Sequence, residues 1–194
     1  MNMLKFADYI KEDCYRYIGK TNLKSIIRCY FKYSGFRFSF WLRACFFLRK
    51  KRIKKILFFP LARFLYKKYK YKYGIDIPYS CEIGPGLLIY HFGGIVFVPK
   101  KAGKNITLSQ CTTVGMVVKN GVKEYPEIGD GLYMAPGSKI IGGIKVGNYV
   151  AIGTNAVLNK NADDNSVIVG IPGKPISFNG SYSYLNFWRK ENEK

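Results

Sequence analysis

The chain is poor in histidine and in acids. His91 is its one histidine, and 12 Asp and Glu stand against 32 Lys and Arg, for a formal net charge of +20. The five cysteines (Cys14, Cys29, Cys45, Cys81 and Cys111) are odd in number, scattered, and never spaced as CxxC. Neither a metal site nor a disulfide framework is expected from such a set. Reduced thiols of a cytosolic protein are the simpler reading. Long apolar runs are also missing. Residues 36–48 are broken by Arg37 and Arg43, and residues 56–66 by Pro60 and Arg63. Neither stretch nears the ~20 apolar residues that a spanning helix needs. Residues 1–20 mix charge with aromatics and lack the apolar core of a secretory signal.

The shortage of acids is local. Residues 1–73 hold 20 Lys and Arg against 3 Asp and Glu, and the rest of the chain holds 12 against 9. A basic first third on a near-neutral remainder points to an acidic partner for the first third. Its spacing is helical. Leu4, Ala7, Tyr9 and Ile10 open one amphipathic segment. Thr21 or Asn22 is placed to cap a second, which carries Leu23, Ile26, Ile27, Tyr30 and Phe31 on one face. Two more helices are expected around 38–47 and 53–69, the last ended or kinked by Pro60.

From Gly74 the period changes to six. Aliphatic residues recur as Ile77, Ile83, Ile89, Ile95; then, after a one-residue slip, Ala102, Leu108, Val114; then, after a longer break, Ile128, Met134, Ile140, Val146, Ile152, Leu158. A hexapeptide period is the signature of a parallel β-helix, in which the aliphatic residue fills the axis and small residues turn the corners. The expected architecture is mainly β: a left-handed parallel β-helix over 74–176, preceded by a basic α-helical region over 1–73 and followed by a tail over 177–194. Residues 115–127 break the period and read as an extruded loop on a rigid scaffold, a common place for function.

His91 lies two residues after the inward Ile89. An imidazole titrates near neutral pH and suits a general base, although a lone histidine can equally be structural. With coils of about 18 residues, Asp76 would lie one coil below Gly94, at the corner that His91 approaches. It reads either as a carboxylate orienting the imidazole or as a turn-capping aspartate.

Five segments, GIDIP at 74–78, IYHFGGIVF at 89–97, ITLSQCTTVG at 106–115, YPEIGDGLYMAPGSKIIGGIKVGNYVAIGTNAVL at 125–158 and VIVGIPGKPI at 167–176, carry a resemblance. In matching order they resemble the serine acetyltransferase-like hexapeptide acyltransferases. The resemblance implies homotrimers with active sites between neighbouring β-helices, acetyl-CoA as donor with its pantetheine along the coils, and no metal. By position it implies His91 as catalytic base and Asp76 as its dyad partner. It also implies Gly115, Pro136, Thr154 and Lys174 as contacts to the CoA, Lys174 suiting a phosphate by charge.

Two departures bear on the acceptor. Tyr90 stands where serine acetyltransferases carry an Asp before the catalytic histidine, and Glu124-Tyr125-Pro126 replaces their Arg-His-Pro. Free serine needs paired charges for recognition. Tyr90, Glu124 and Tyr125 are therefore expected to line a site for a different acceptor. With the basic leader, the pattern resembles the polysaccharide-modifying branch, such as the colanic acid acetyltransferases. The expected reaction is O-acetylation of a surface-polysaccharide sugar, as a glycan or lipid-linked glycan. The alternatives are serine acetylation, N-acetylation of an amino sugar, and a non-catalytic scaffold. The basic residues 49–55 and 67–73 read as a solvated helix face, as a contact to the anionic inner face of the plasma membrane, or as a nucleic-acid surface. No nucleic-acid motif supports the last reading.

Overall fold

The computed structural model describes residues 5–49 and 52–188, the side chains of 52–56 excepted. Lys50 and Lys51 of the basic run and the last six residues of the tail lie outside the described residues. Four helices come first: α1 (Phe6–Ile18), α2 (Leu23–Lys32), α3 (Ser34–Leu48) and α4 (Arg52–Tyr73). Asn22 caps α2, its side-chain oxygen accepting the Ser25 N–H at 2.8 Å. Gly19 ends α1 in the left-handed region at φ 66°, as a helix C-terminus favours. Pro60 neither ends α4 nor shortens it. The residue is on the exposed side, where water can take the carbonyl that loses its N–H partner.

From Ile75 the chain winds through short parallel strands in three sheets. In one face Asp76, Val96, Thr113, Lys139 and Val157 stack in register, steps of 20, 17, 26 and 18 residues. In a second, Leu88, Thr107, Tyr133, Ala151 and Val167 do the same. The third carries Lys101, Glu127 and Lys145. Every member of the period-six series is buried, and Ala162 and Ile168 extend it. A second inward set precedes it by two positions: Ile106, Leu132, Ile144, Val150 and Ala156 are buried as well, because residues two apart in a strand share a face.

The longest step, 26 residues, contains the extruded segment. It is a β-hairpin rather than an open loop: Val117–Lys119 pairs antiparallel with Val122–Glu124. Asn120 and Gly121 form its turn with φ 50° and 75°, the two-residue Asn-Gly turn that suits the twist of a hairpin. The hairpin lies on the next coil at Gly142–Gly143: a Cβ at Gly143 would collide with the Glu124 side chain at 2.7 Å, and one at Gly142 would touch Val117 at 3.6 Å.

The first coil leaves three strand edges unpaired, and the helices supply their partners. The Tyr66 hydroxyl donates to the Ile77 carbonyl at 2.7 Å. Arg43 donates to the carbonyls of Ile83 and Gly84. Tyr17 donates to the Ile89 carbonyl and accepts the Ile89 N–H, at 3.1 and 3.0 Å. Asp13 accepts the N–H groups of Gly86 and Leu87 and pairs with Arg43 at 3.0 Å. Arg16, its pKa lowered to about 10 by burial against the opposing pull of Asp13, donates to Gly86, Thr107 and Asn186. Buried polar groups need such partners. The result is one apolar core running from Phe38, Leu42 and Tyr66 through the β-helix axis to Ile168.

At the far end the strand Lys174–Ser177 folds back on Val167–Val169. The chain then returns along the flank of the coils as a strap. Ser181 is fully buried and donates to the Gly131 carbonyl at 2.5 Å. Tyr182 stacks on Tyr149 and Tyr184 on Tyr133. The Asn186 carbonyl reaches Arg16 at the helical end.

Candidate active site

His91 sits on a corner that is longer than those above it. The inward residues Ile89, Leu108, Met134 and Ile152 stack, and so do Phe97, Val114, Ile140 and Leu158. The step between the two columns is eight residues for the pair Ile89 and Phe97 but six for each pair above. Two additional residues therefore swell the corner at Tyr90–Gly94. Gly93 and Gly94 make the reversal with φ 111° and 64°, the first a value that only glycine adopts without strain and the second in the left-handed region that glycine favours. The swelling also makes the first coil 20 residues long. Asp76 consequently lies beneath Val96, not beneath Gly94 as a uniform coil of 18 would put it.

The swollen corner faces the helices across a cleft of about 320 Å³, lined by Tyr17, Lys32, Tyr33, Tyr90, His91 and Phe92 among others. Two contacts set the cleft's floor. Gly35 at the start of α3 comes so close to Ile89 that a Cβ there would stand 2.3 Å from the Ile89 carbonyl oxygen. Phe92 packs on Tyr73, ring centroids 5.1 Å apart. His91 is exposed, with the ring of Tyr90 at 5.7 Å. The Tyr90 hydroxyl accepts a 2.6 Å hydrogen bond from Asn186 of the strap.

The anticipated pair of His91 and Asp76 does not form a hydrogen bond within one chain. The Asp76 carboxylate is held by Lys70 of α4 at 2.6 Å, with both side chains partly exposed. In the sequence Lys70 stands only as one cation of the basic run 67–73. Its spacing of six from Asp76 across a helix end carries no recognisable motif.

Gly115, Pro136, Thr154 and Lys174 stand on successive levels above His91. Gly115 follows the second corner of this column, Pro136 and Thr154 lie in the third and fourth, and Lys174 follows the turn closing the fifth. At about 4.8 Å per coil, four levels span roughly 19 Å along the axis. Thr154 and Lys174 are exposed, and Pro136 is half-buried. Gln110, at the level directly above His91, has a buried Oε1 without a hydrogen-bond partner. Glu124 and Tyr125 are elsewhere: they end the hairpin on a different corner and do not line the cleft of His91. Within a single chain, then, Tyr90 is the only one of the three expected acceptor residues beside the histidine. Among the described residues no three His, Cys, Asp or Glu side chains gather as a metal site would require, and no helix is long and apolar enough to cross a membrane.

No family model matches the chain. It is 37% identical over 108 residues to the serine acetyltransferase of Staphylococcus aureus strain Mu50, covering 55% of this chain and 51% of that protein. The chain thus spans about half the length of the curated relatives it matches. The solved serine acetyltransferase of Vibrio cholerae O1 superposes with a TM-score of 0.72 at 22% identity, over 96% of this chain and 72% of that one. A serine acetyltransferase solved in complex with CoA superposes at 0.66 and 24% identity, over 88% of this chain and 68% of that one. The superposition with the Vibrio protein takes in nearly the whole chain, so the helical leader is part of the shared fold. The fold is the left-handed parallel β-helix with an N-terminal helical region. Sequence and fold together support kinship with the serine acetyltransferase-like hexapeptide-repeat acyltransferases.

Proposed function

We propose that the chain is an acetyl-CoA-dependent O-acetyltransferase with His91 as its general base. The observation that carries this reading is the exposed imidazole on the one swollen corner, at the foot of the column of Gly115, Pro136, Thr154 and Lys174, positions that the resemblance implies would contact CoA. The imidazole takes the proton of an acceptor hydroxyl. The oxygen attacks the thioester carbonyl, and the tetrahedral intermediate expels CoA, whose sulfur recovers the proton from the imidazolium. Asp76, paired with Lys70 in the single chain, would serve as the orienting carboxylate on turning to the imidazole. Three chains form the working unit, so that Glu124 and Tyr125 of one hairpin meet the histidine of a neighbour and the unpartnered Gln110 oxygen finds a donor. Proximity of the two substrates at that interface supplies much of the rate.

Free L-serine is the acceptor that the relatives' names favour. A glycan hydroxyl is a second reading, favoured by Tyr90 and Glu124, which stand where the resemblance implies an aspartate and an arginine able to pair with the charges of free serine. Thiol release from acetyl-CoA, measured with serine and with surface-glycan oligosaccharides, separates the two. His91→Ala is expected to abolish transfer while leaving the assembly's mass unchanged. Near-wild-type turnover in that variant would sink the reading.

A further inference from the structure

Helix α2 packs only part of its apolar stripe: Ile26 and Tyr30 lie against the buried cluster of Ile10, Cys14, Cys29 and Phe36, and the rest faces outward. It buries Ser25 and Cys29 against α1 and α3 and sends Leu23, Ile27 and Phe31 outward, at 72, 51 and 73% exposure. Those three are spaced i, i+4, i+8 and form one column. Lys24, Arg28 and Lys32 form the adjoining column at the same spacing. Lys20, Lys24 and Arg28 also line an open cleft of about 350 Å³ beside the helix start. No Asp or Glu occurs between Asp13 and Asp76, so none of α2, α3 or α4 carries a negative charge to oppose an anion. Helix α4 repeats the composition: Leu57, Leu61 and Phe64 are exposed, beside Arg63, Lys67 and Lys68.

We propose that α2 docks on an anionic phospholipid bilayer. The column Leu23, Ile27 and Phe31 enters the acyl boundary, and Lys20, Lys24 and Arg28 meet the headgroup phosphates. Apolar and cationic columns side by side are the composition of an interfacial helix. The cations select a negatively charged surface, each contributing on the order of fivefold in binding. Both columns end at Phe31 and Lys32, and Lys32 with Tyr33 lines the His91 cleft. Docking therefore sets the mouth of that cleft at the membrane surface, where a lipid-linked acceptor would be presented. The last consequence rests on the acyl-transfer reading; the docking does not.

The full chain is sedimented with vesicles of mixed phosphatidylglycerol and phosphatidylcholine, and with phosphatidylcholine alone, at low and high salt. Binding is expected only to the anionic vesicles. It should fall on the order of tenfold or more in Leu23→Gln/Phe31→Gln and in Lys24→Gln/Arg28→Gln. Release of CoA thiol in solution is followed in parallel and should be unchanged in both variants. Three results would overturn the docking: no binding by the wild type; loss in the charge variant with none in the apolar one, which leaves a generic cation patch open equally to nucleic acid; or a change of solution mass in the apolar variant, which assigns the column to a second copy. Vesicle binding by a chain that transfers no acetyl group would keep the docking and reject the acyl-transfer reading.

Discussion

Asn186 donates its side-chain amide to the phenolic oxygen of Tyr90 at 2.6 Å, joining the C-terminal strap to the residue beside His91. The strap is anchored on both sides of this bond, by Arg16 to the Asn186 carbonyl and by the buried Leu185. The bond therefore fixes the Tyr90 side chain from outside its own coil. Asn186→Ala and Tyr90→Phe should each lower kcat/KM for the acceptor by about twofold to tenfold, the worth of one neutral hydrogen bond. The double variant should lose little more than either single one. Additive losses would show that the two side chains act separately.

Asp13 and Arg43 make a different kind of contact. Both are almost fully buried, and the Asp13 carboxylate also receives two backbone N–H groups of the first coil. Removing one member of a buried pair strands the other, at a cost of about 3–5 kcal/mol. Asp13→Ala is expected to lower the unfolding free energy in urea by that amount, with the helices loosening from the β-helix first. A loss within 1 kcal/mol, or about the worth of a surface pair, would mean that water reaches the site.

How far the sequence reveals this architecture depends on the element. The inward column was legible because one residue in six must fill the axis. Its start misleads: Ile95 follows Ile89 by six, yet the ladder stacks Phe97, not Ile95, under Val114. Ile95 is buried because it lies two residues before Phe97 on the same face. An eight-residue corner thus imitates the six-residue period, and the swelling that carries His91 is hidden in a regular pattern. The Gly93-Gly94 pair was its one visible sign. Helix α2 was legible as amphipathic, but periodicity groups residues on a face without saying how much of that face is packed. The strap, and the capping of the first coil by Asp13, Arg16 and Arg43, depend on contacts between residues far apart in sequence, which no local pattern encodes.

The cysteines predict a pH dependence. Burial raises the pKa of Cys81 to about 11 and of Cys45 to about 12, above the ordinary thiol value of 9.0. Cys14 and Cys29 are buried against each other with sulfurs 3.4 Å apart. Only Cys111 is exposed among the five. Iodoacetamide at pH 8 should label Cys111 alone in the native chain, because the thiolate is the reacting species. The folded chain holds the Cys81 and Cys45 protons more tightly than the unfolded chain does. Their contribution to stability is thus complete below pH 9 and is lost as the pH rises toward 11 and 12. Unfolding midpoints measured between pH 8 and 11 should fall, and Cys81→Ser/Cys45→Ala should flatten that fall.

Gly35 tests whether the helical region shapes the cleft or merely adjoins it. A Cβ at this position would lie 2.3 Å from the Ile89 carbonyl oxygen, 2.7 Å from the Tyr17 hydroxyl and 2.8 Å from the Ile89 Cβ. The carbonyl belongs to backbone, so no rotamer change relieves the collision. Helix α3 must back away from Leu88–Ile89, and the Tyr17 bridge that closes this strand edge must lengthen. Overpacking of this kind costs about 1–3 kcal/mol. Gly35→Ala should therefore lower Tm. It should also lower acetyl transfer at temperatures where the variant is fully folded, since Ile89 is two residues from His91. Gly129→Ala provides the comparison: its Cβ would meet the Gly147 carbonyl oxygen at 2.6 Å, on a corner that does not line the cleft. A Gly35→Ala chain that loses stability yet keeps wild-type transfer while folded would show that the swollen corner holds its geometry without α3.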